Sequence, residues 1–354
     1  MEEKKKLEDY SVLLNSIVEQ INSGKNLYDP FNKLGVIYVE MEDFENAEKY
    51  FKLSLSQKPD YIDAILNFGI LYNKKMAFKE SINFFLKAIE LDKTNYRAFY
   101  NLGVAYQESG NFLEAVKMYE KSIELNPTFA DSHFNKALIS LLLGNFNDGW
   151  KNYEKWGYIS GNRIKRNING LQWNGENING KTLFVYSDQA YGDAINFFRY
   201  LKPLKDLGAN IVFECPDALY SLFSNSKDCF NILINDKSNK KVEFDYYIPL
   251  SSLPSVFYFN KLSLDVQFPY LNIKQNILDN WQNQLSGYKG LKIGFLWKGN
   301  PYPPINQKRH AKLCDFFPLF EIENTNWFSL AINETEEINS IKNKNVYDLT
   351  KYIS

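Results

Sequence analysis

Four segments of the chain repeat at a spacing of 34 residues, and this constrains the front of the molecule more than any other feature. Leu34-Gly35, Phe68-Gly69 and Leu102-Gly103 stand at equal intervals, and Lys136-Ala137 falls at the next. Counting each unit from Tyr28, Ile62, Tyr96 and Ala130 aligns further positions. Position 17 reads Phe44, Phe78, Phe112, Phe146. Position 20 stays small, with Ala47, Ser81, Ala115 and Gly149. Position 24 is aromatic, with Phe51, Phe85, Tyr119 and Tyr153. Pro59 and Pro127 close the first and third units. A chain with this period folds as a stack, because one unit cannot bury its apolar face alone.

The spacing within each unit predicts two helices. At about 3.6 residues per turn, positions 4, 7, 8 and 11 share one face of the first helix. Small residues at positions 8 and 20 let the paired helices approach closely. The fourth unit departs from the pattern, with His133 at position 4 and Lys136 at position 7, and reads as a terminal unit leading into Trp150 and Trp156. Leu7, Tyr10, Leu13, Leu14, Ile17, Val18 and Ile21 carry a helical apolar pattern ahead of the first unit. We expect an N-terminal capping helix within residues 1–27.

These residue types at this period resemble the tetratricopeptide repeat, with two antiparallel helices per unit. The resemblance implies repeats over 28–61, 62–95, 96–129 and 130–157, and a surface for a protein or peptide partner. Asn67, Asn101 and Asn135 recur at position 6, while the first unit has Lys33 there. Position 6 lies about 200° around the helix from position 4, away from the packing face. Amides there can pair with an extended peptide backbone of any sequence, or they can bridge neighbouring repeats. The row is similar to the asparagine ladder in the repeat superhelix of O-linked N-acetylglucosamine transferases.

Composition narrows the function classes. The formal net charge is −1, and no dense Lys/Arg cluster offers a footprint for a phosphate backbone, so we expect no nucleic-acid partner. The start, MEEKKKLEDY, lacks an apolar signal core. The apolar run Ala137–Leu143 is too short to span a bilayer, so no transmembrane segment is expected. Cys215, Cys229 and Cys314 are scattered and odd in number, which points to reduced thiols and a cytoplasmic setting. The only histidines are His133 and His310, so a Ser-His-Asp triad or a histidine zinc site is not easily built. Acid–base chemistry would fall to a carboxylate.

After Trp156 the period stops. Residues 158–180 are rich in Asn and Gly and read as a linker. Strands are then expected at Thr182–Ser187, Asn210–Cys215, Phe230–Ile234 and Tyr246–Leu250, with a helix over Asp193–Leu207. A second set begins at Leu291–Trp297 and continues with Trp327–Ile332 and Asn345–Leu349. Alternation of strand and helix predicts parallel α/β sheets, here over 181–290 and 291–354. Ligands in such sheets bind at the carboxyl ends of strands. Two loops fall there. One is Asp188 to Asp193, where Gly192 suits a tight turn. The other runs from Lys298 through Gly299 and Asn300 to Lys308, Arg309 and Lys312.

The run WNGENINGKTLFVYSDQAYGDAINFFRYLKPLKDLGANIVFECP resembles the start of the glycosyltransferase domain fused to tetratricopeptide repeats in many bacteria. That domain is similar to the heptosyltransferases of the family 9 type, whose GT-B architecture has two facing Rossmann-like halves. IPLSSLP at 248–254, IGFLWKGNP at 293–301 and GWKNYEKW at 149–156 extend the likeness. The resemblance implies a first, acceptor-side half over 181–290 and a donor-side half over 291–354. It implies Asp193 as the acceptor-activating base, with Asp188 a weaker candidate. Asp193 could equally cap its helix. Gly299, Asn300, Lys308 and Arg309 would hold the donor phosphates. The family's Arg-Ser is Arg309-His310 here, and its preceding acid is Asn306. With 64 residues from Leu291 onward, the donor half is expected to be incomplete and to bind nucleotide sugars weakly or not at all.

The fold class expected is therefore helical repeats followed by a Rossmann-like α/β part. Two functions fit. One is metal-independent transfer of a sugar from a nucleotide-diphosphate sugar to a protein or glycan acceptor recruited by the repeats, with no cofactor. The other is a non-catalytic interaction scaffold carrying a vestigial transferase part.

Overall fold

A computed structural model describes Ile17, Glu19, Gln20, Asn22, Gly24 and residues 26–237, 242–266, 268–298, 311–331, 335–339, 341, 345–349 and 352. The chain divides into two compact units, 1–270 and 271–354. The division expected at 290/291 lies inside the second.

Eight helices follow one another in the first unit: α1 Tyr28–Glu40, α2 Phe44–Gln57, α3 Ile62–Lys74, α4 Phe78–Leu91, α5 Tyr96–Glu108, α6 Phe112–Leu125, α7 Ala130–Leu142 and α8 Phe146–Ile159. Each pair occupies one 34-residue unit. The small residue at position 8 exists for the ring at position 24. A Cβ on Gly69 would sit 2.5 Å from Cε1 of Phe85, and one on Gly103 would sit 2.7 Å from Cε1 of Tyr119. Gly35 stands in the same relation to Phe51. Phe51, Phe85 and Tyr119 are buried completely or nearly so, and each such ring stabilises its pair by about 1.5–3 kcal/mol.

The turn inside each unit has one left-handed residue at position 15. It is Glu42, Met76, Gly110 and Gly144 in succession, with φ of 60°, 59°, 83° and 82°. Asp43 and Asn145 then cap α2 and α8 by accepting from the backbone N–H of Asn46 and Asp148. His133 is a packing residue. Its ring stacks on Trp156 at 3.9 Å, and Nε2 lies 2.9 Å from the Pro127 carbonyl. Of the expected capping helix, Ile17, Glu19, Gln20 and Asn22 are helical, and Ile17 packs against Leu34 and Ile37. The remainder of residues 7–22 lies outside the described residues.

A five-stranded parallel sheet follows in the same unit: β1 Leu171–Gln172, β2 Thr182–Tyr186, β3 Asn210–Cys215, β4 Ile232–Asn235 and β5 Tyr246–Pro249, in the order β1-β5-β2-β3-β4. Helices α9 Tyr191–Phe197 and α10 Leu201–Asp206 connect β2 to β3. Helix α11, Tyr220–Phe223, precedes β4, and α12, Leu253–Phe259, follows β5. One face buries Phe213 against Phe198 and Phe223, whose rings stack at 4.5 Å. The other face buries Phe184, Tyr186, Val212 and Ile234 under Ile168, Val242 and Phe244, which are chain segments rather than helices. Residues 158–180, expected as a linker, thus supply strand β1 and the buried Arg163, Trp173 and Ile178. Their Asn and Gly content marks turns, and the few large side chains among them are anchored in the core. The repeats join this sheet region directly, with Phe146 of α8 6.0 Å from Tyr258 of α12.

The second unit carries helix α13, Gln275–Leu285, and a three-stranded parallel sheet, β6 Leu291–Phe295, β7 Thr325–Ser329 and β8 Val346–Asp348, in that order. Its core is Phe295, Trp297, Leu313, Phe320, Trp327, Ala331 and Ile338. The short helices α14, Phe317–Phe320, and α15, Thr335–Asn339, complete it.

Candidate functional site

Two places in the first unit gather the residues that the sequence marks. The first is the open face of helices α1, α3, α5 and α7. Asn67 donates to Oδ1 of the buried Asn32 at 3.0 Å. Asn135 donates to the hydroxyl of Tyr100 at 3.3 Å and lies 3.5 Å from that of Tyr119. Each thus bridges to the preceding repeat with its amide nitrogen, and no hydrogen bond reaches either amide oxygen among the described residues. Asn101 is half-buried and makes no side-chain hydrogen bond among them. Around these amides Val36, Leu138 and Leu142 are exposed, Leu142 by 63%.

The second place is the carboxyl end of β2, next to β5. From β2 the chain steps to β3 and β4 on one side, then returns to place β5 on the other. The crevice at such a reversal of strand order is where ligands bind in open parallel sheets. Here its inner part is filled by protein. Asp188, just past β2, accepts from the Ser251 backbone N–H at 3.1 Å and from Ser251 Oγ at 2.6 Å. Arg163 reaches in from the segment after α8. It donates to Glu154 at 2.9 Å, Asp188 at 3.3 Å, Ser251 Oγ at 2.7 Å and Ser252 Oγ at 2.8 Å. Its guanidinium also lies over the rings of Tyr153 and Tyr158, at 4.7 and 4.4 Å.

The Arg163 side chain is 1% exposed and that of Asp188 3%. Burial works against the Arg163 charge, but Glu154, the two tyrosines and Asp188 outweigh it and hold the guanidinium charged above its ordinary range. Burial pushes the Glu154 carboxyl up, and Arg163 and Ser252 pull it back only in part. Gly157 makes the room, because a Cβ there would lie 2.7 Å from Cδ of Arg163. Asp188 therefore ties the sheet to the repeats.

Asp193 lies in the first turn of α9, whose N-cap is Ala190. The cap position expected for Asp193 is thus taken by Ala190, and the carboxylate sits where it favours the helix dipole. Gly192 is the second residue of the same helix, does not adopt positive φ, and nothing lies within 4 Å of a Cβ placed there. The tight turn expected at Gly192 is a helix start. In the second unit, Lys298 pairs with Glu337 at 2.6 Å. Gly299, Asn300, Lys308 and Arg309, with Asn306 and His310, lie outside the described residues.

Sequence reasoning missed Arg163 and its partners as a set. The stretches GWKNYEKW and IPLSSLP contain Glu154, Ser251 and Ser252, but nothing along the chain connects them to an arginine nearly ninety residues from the serines. Among the described residues no group of three or more His, Cys, Asp or Glu side chains is placed to hold a metal ion. No helix among them is long and apolar enough to cross a membrane.

Family models of the tetratricopeptide repeat match residues 28–61, 96–129 and 118–151. The eight helices form a tetratricopeptide-repeat array. No curated protein sequence matches the chain significantly. Among solved structures, PilW, titled a widely conserved type IV pilus biogenesis factor, is 24% identical over 46% of this chain and 75% of its own, with a TM-score of 0.41. MamA is 20% identical over 45% of this chain and 94% of its own, with a TM-score of 0.37. PilF of Pseudomonas aeruginosa is 23% identical over 38% of this chain and 62% of its own, with a TM-score of 0.36. Behind the tetratricopeptide repeats stands the small parallel-stranded sheet region.

Proposed function

We propose that the protein is an interaction scaffold whose tetratricopeptide repeats bind an extended segment of a protein partner along the open face of their first helices. The observation that carries this reading is the row Asn67, Asn101 and Asn135, half-buried at one period, with unoccupied amide oxygens on Asn67 and Asn135 and exposed Val36, Leu138 and Leu142 beside it. An amide offers both donors and an acceptor, so it can follow a peptide backbone whatever its side chains. Asn101 separates this role from bridging, because it has no bridge to lose. A peptide-display library selected on the full chain should yield binders. Asn101→Ala should weaken the best of them by about 0.5–1.5 kcal/mol with an unchanged melting temperature. Equal affinity for wild type and Asn101→Ala would end the groove reading.

Sugar transfer from a nucleotide-diphosphate sugar, in the cytoplasm and without metal, is the second reading. It is favoured by two successive parallel sheets in which a strand leads to a loop and a helix, with Asp193 in the first turn after β2. Asp193 would then deprotonate the acceptor hydroxyl, and Gly299, Asn300, Lys308 and Arg309 would hold the donor phosphates. Calorimetry with UDP-, GDP- and ADP-sugars tests it. A dissociation constant of about 1 μM that Arg309→Ala abolishes, with turnover lost in Asp193→Asn, would establish the transferase reading over the scaffold.

A further inference from the structure

Beside the Arg163 node the first unit has a cavity of about 420 Å³ at the junction of α8, the 163–174 segment, the sheet and α12. The volume falls within the range of small-molecule sites. Four cations line it: Lys151 and Lys155 from one face of α8, and Lys165 and Arg166 from the segment after it. Glu154 is the only acid in the lining, and its carboxylate is turned to Arg163 and to Ser252, at 2.9 and 3.0 Å. Arg166 pairs with Glu214 of β3. Among the described residues Lys151, Lys155 and Lys165 form no ion pair, although like charges four residues apart on a helix repel.

The deeper lining is aromatic and rich in donors. Tyr186 ends β2, Tyr247 lies in the adjacent β5, and Tyr158 comes from α8. Burial raises the hydroxyls of Tyr158 and Tyr186, Tyr158 to about 12, so both stay protonated donors at neutral pH. Gln172 at the end of β1 and Ser255 of α12 complete the ring. The cavity thus combines an excess of positive charge, several hydroxyl and amide donors and three aromatic rings, at the ends of strands beside the strand-order reversal. Lysines act as point charges that suit a phosphate, whereas a carboxylate is better matched by a free arginine fork. A phosphate also offers three strong acceptor oxygens to match the donors.

We propose that this cavity binds an organic phosphate of mononucleotide size, with Lys151, Lys155 and Lys165 around the phosphate and the ring held among Tyr158, Tyr186 and Tyr247. No repeat asparagine takes part, and neither Asp193 nor any residue of 271–354 lines the cavity, so the residues tested here differ from those that test the two functional readings. The test is calorimetry on the full chain with adenosine monophosphate, inorganic phosphate and citrate. Adenosine monophosphate should bind with a dissociation constant of about 1 mM or tighter. Affinity should fall steeply with added salt. Lys151→Ala/Lys165→Ala should weaken binding at least about tenfold, with circular dichroism and melting temperature unchanged because both lysines are exposed. Should the double variant fold poorly, Lys165→Ala alone gives the same comparison. Absence of heat, equal affinity in the lysine variants, or citrate or inorganic phosphate binding as tightly as the nucleotide would overturn the proposal.

Discussion

Replacing Arg163 with methionine should destabilise the 1–270 unit by about 3–5 kcal/mol. The guanidinium is the counter-charge for Glu154 and Asp188 and the donor to Ser251 and Ser252. Methionine has similar length but leaves the nearly buried Asp188 and the partly exposed Glu154 without their counter-charge. An uncompensated buried charge costs more than the pair contributed while intact. Arg163→Lys should fall between, because a single ammonium cannot serve four oxygen partners from one planar fork. Adding Glu154→Gln to Arg163→Met should recover part of the loss by removing one stranded charge. Urea unfolding followed by the fluorescence of Trp156 and Trp173 reads these differences. A loss below about 1 kcal/mol for Arg163→Met would mean that water reaches the node, and that the repeats and sheet are held together by other contacts.

Phe85→Ala should cost about 3–5 kcal/mol, as expected for a ring only 1% exposed. Gly69→Ala should cost about 1–3 kcal/mol, because its methyl would enter the space of that ring. The double variant is the decisive one. With the ring gone the three atoms nearest the new methyl are removed, so the two losses should fall short of additive by about 0.5–3 kcal/mol. Simple additivity in thermal or urea unfolding would show that Gly69 is small for another reason, such as contact with the next repeat.

The repeat array was legible because its information is local and periodic. The pairing of position 8 with position 24 lies within one unit, and the small and aromatic residues stand in the sequence at the spacing that the helices require. The parallel sheet was legible for a similar reason, since β2, β3 and β5 are short apolar runs bounded by turn residues. Position 15 was not legible. Its left-handed residue is Glu, Met, Gly and Gly, and the conformation is imposed by the helices on either side.

The connecting segment reads as a linker because its composition is that of turns. Composition averages over residues, and three side chains, Arg163, Trp173 and Ile178, determine where that segment goes. What the sequence by itself determined is the helical stack, its period, the amide row and the presence of parallel strands. Only the tertiary structure decided that Asp188 is an anchor, that Ala190 caps the helix containing Asp193, and that Arg163 fills the crevice between β2 and β5. The physical reason is range. A helix and its packing stripe are specified within a few turns, whereas a buried charge is specified by partners that only the folded chain brings together, here Glu154, Asp188 and Ser251 from three separate elements.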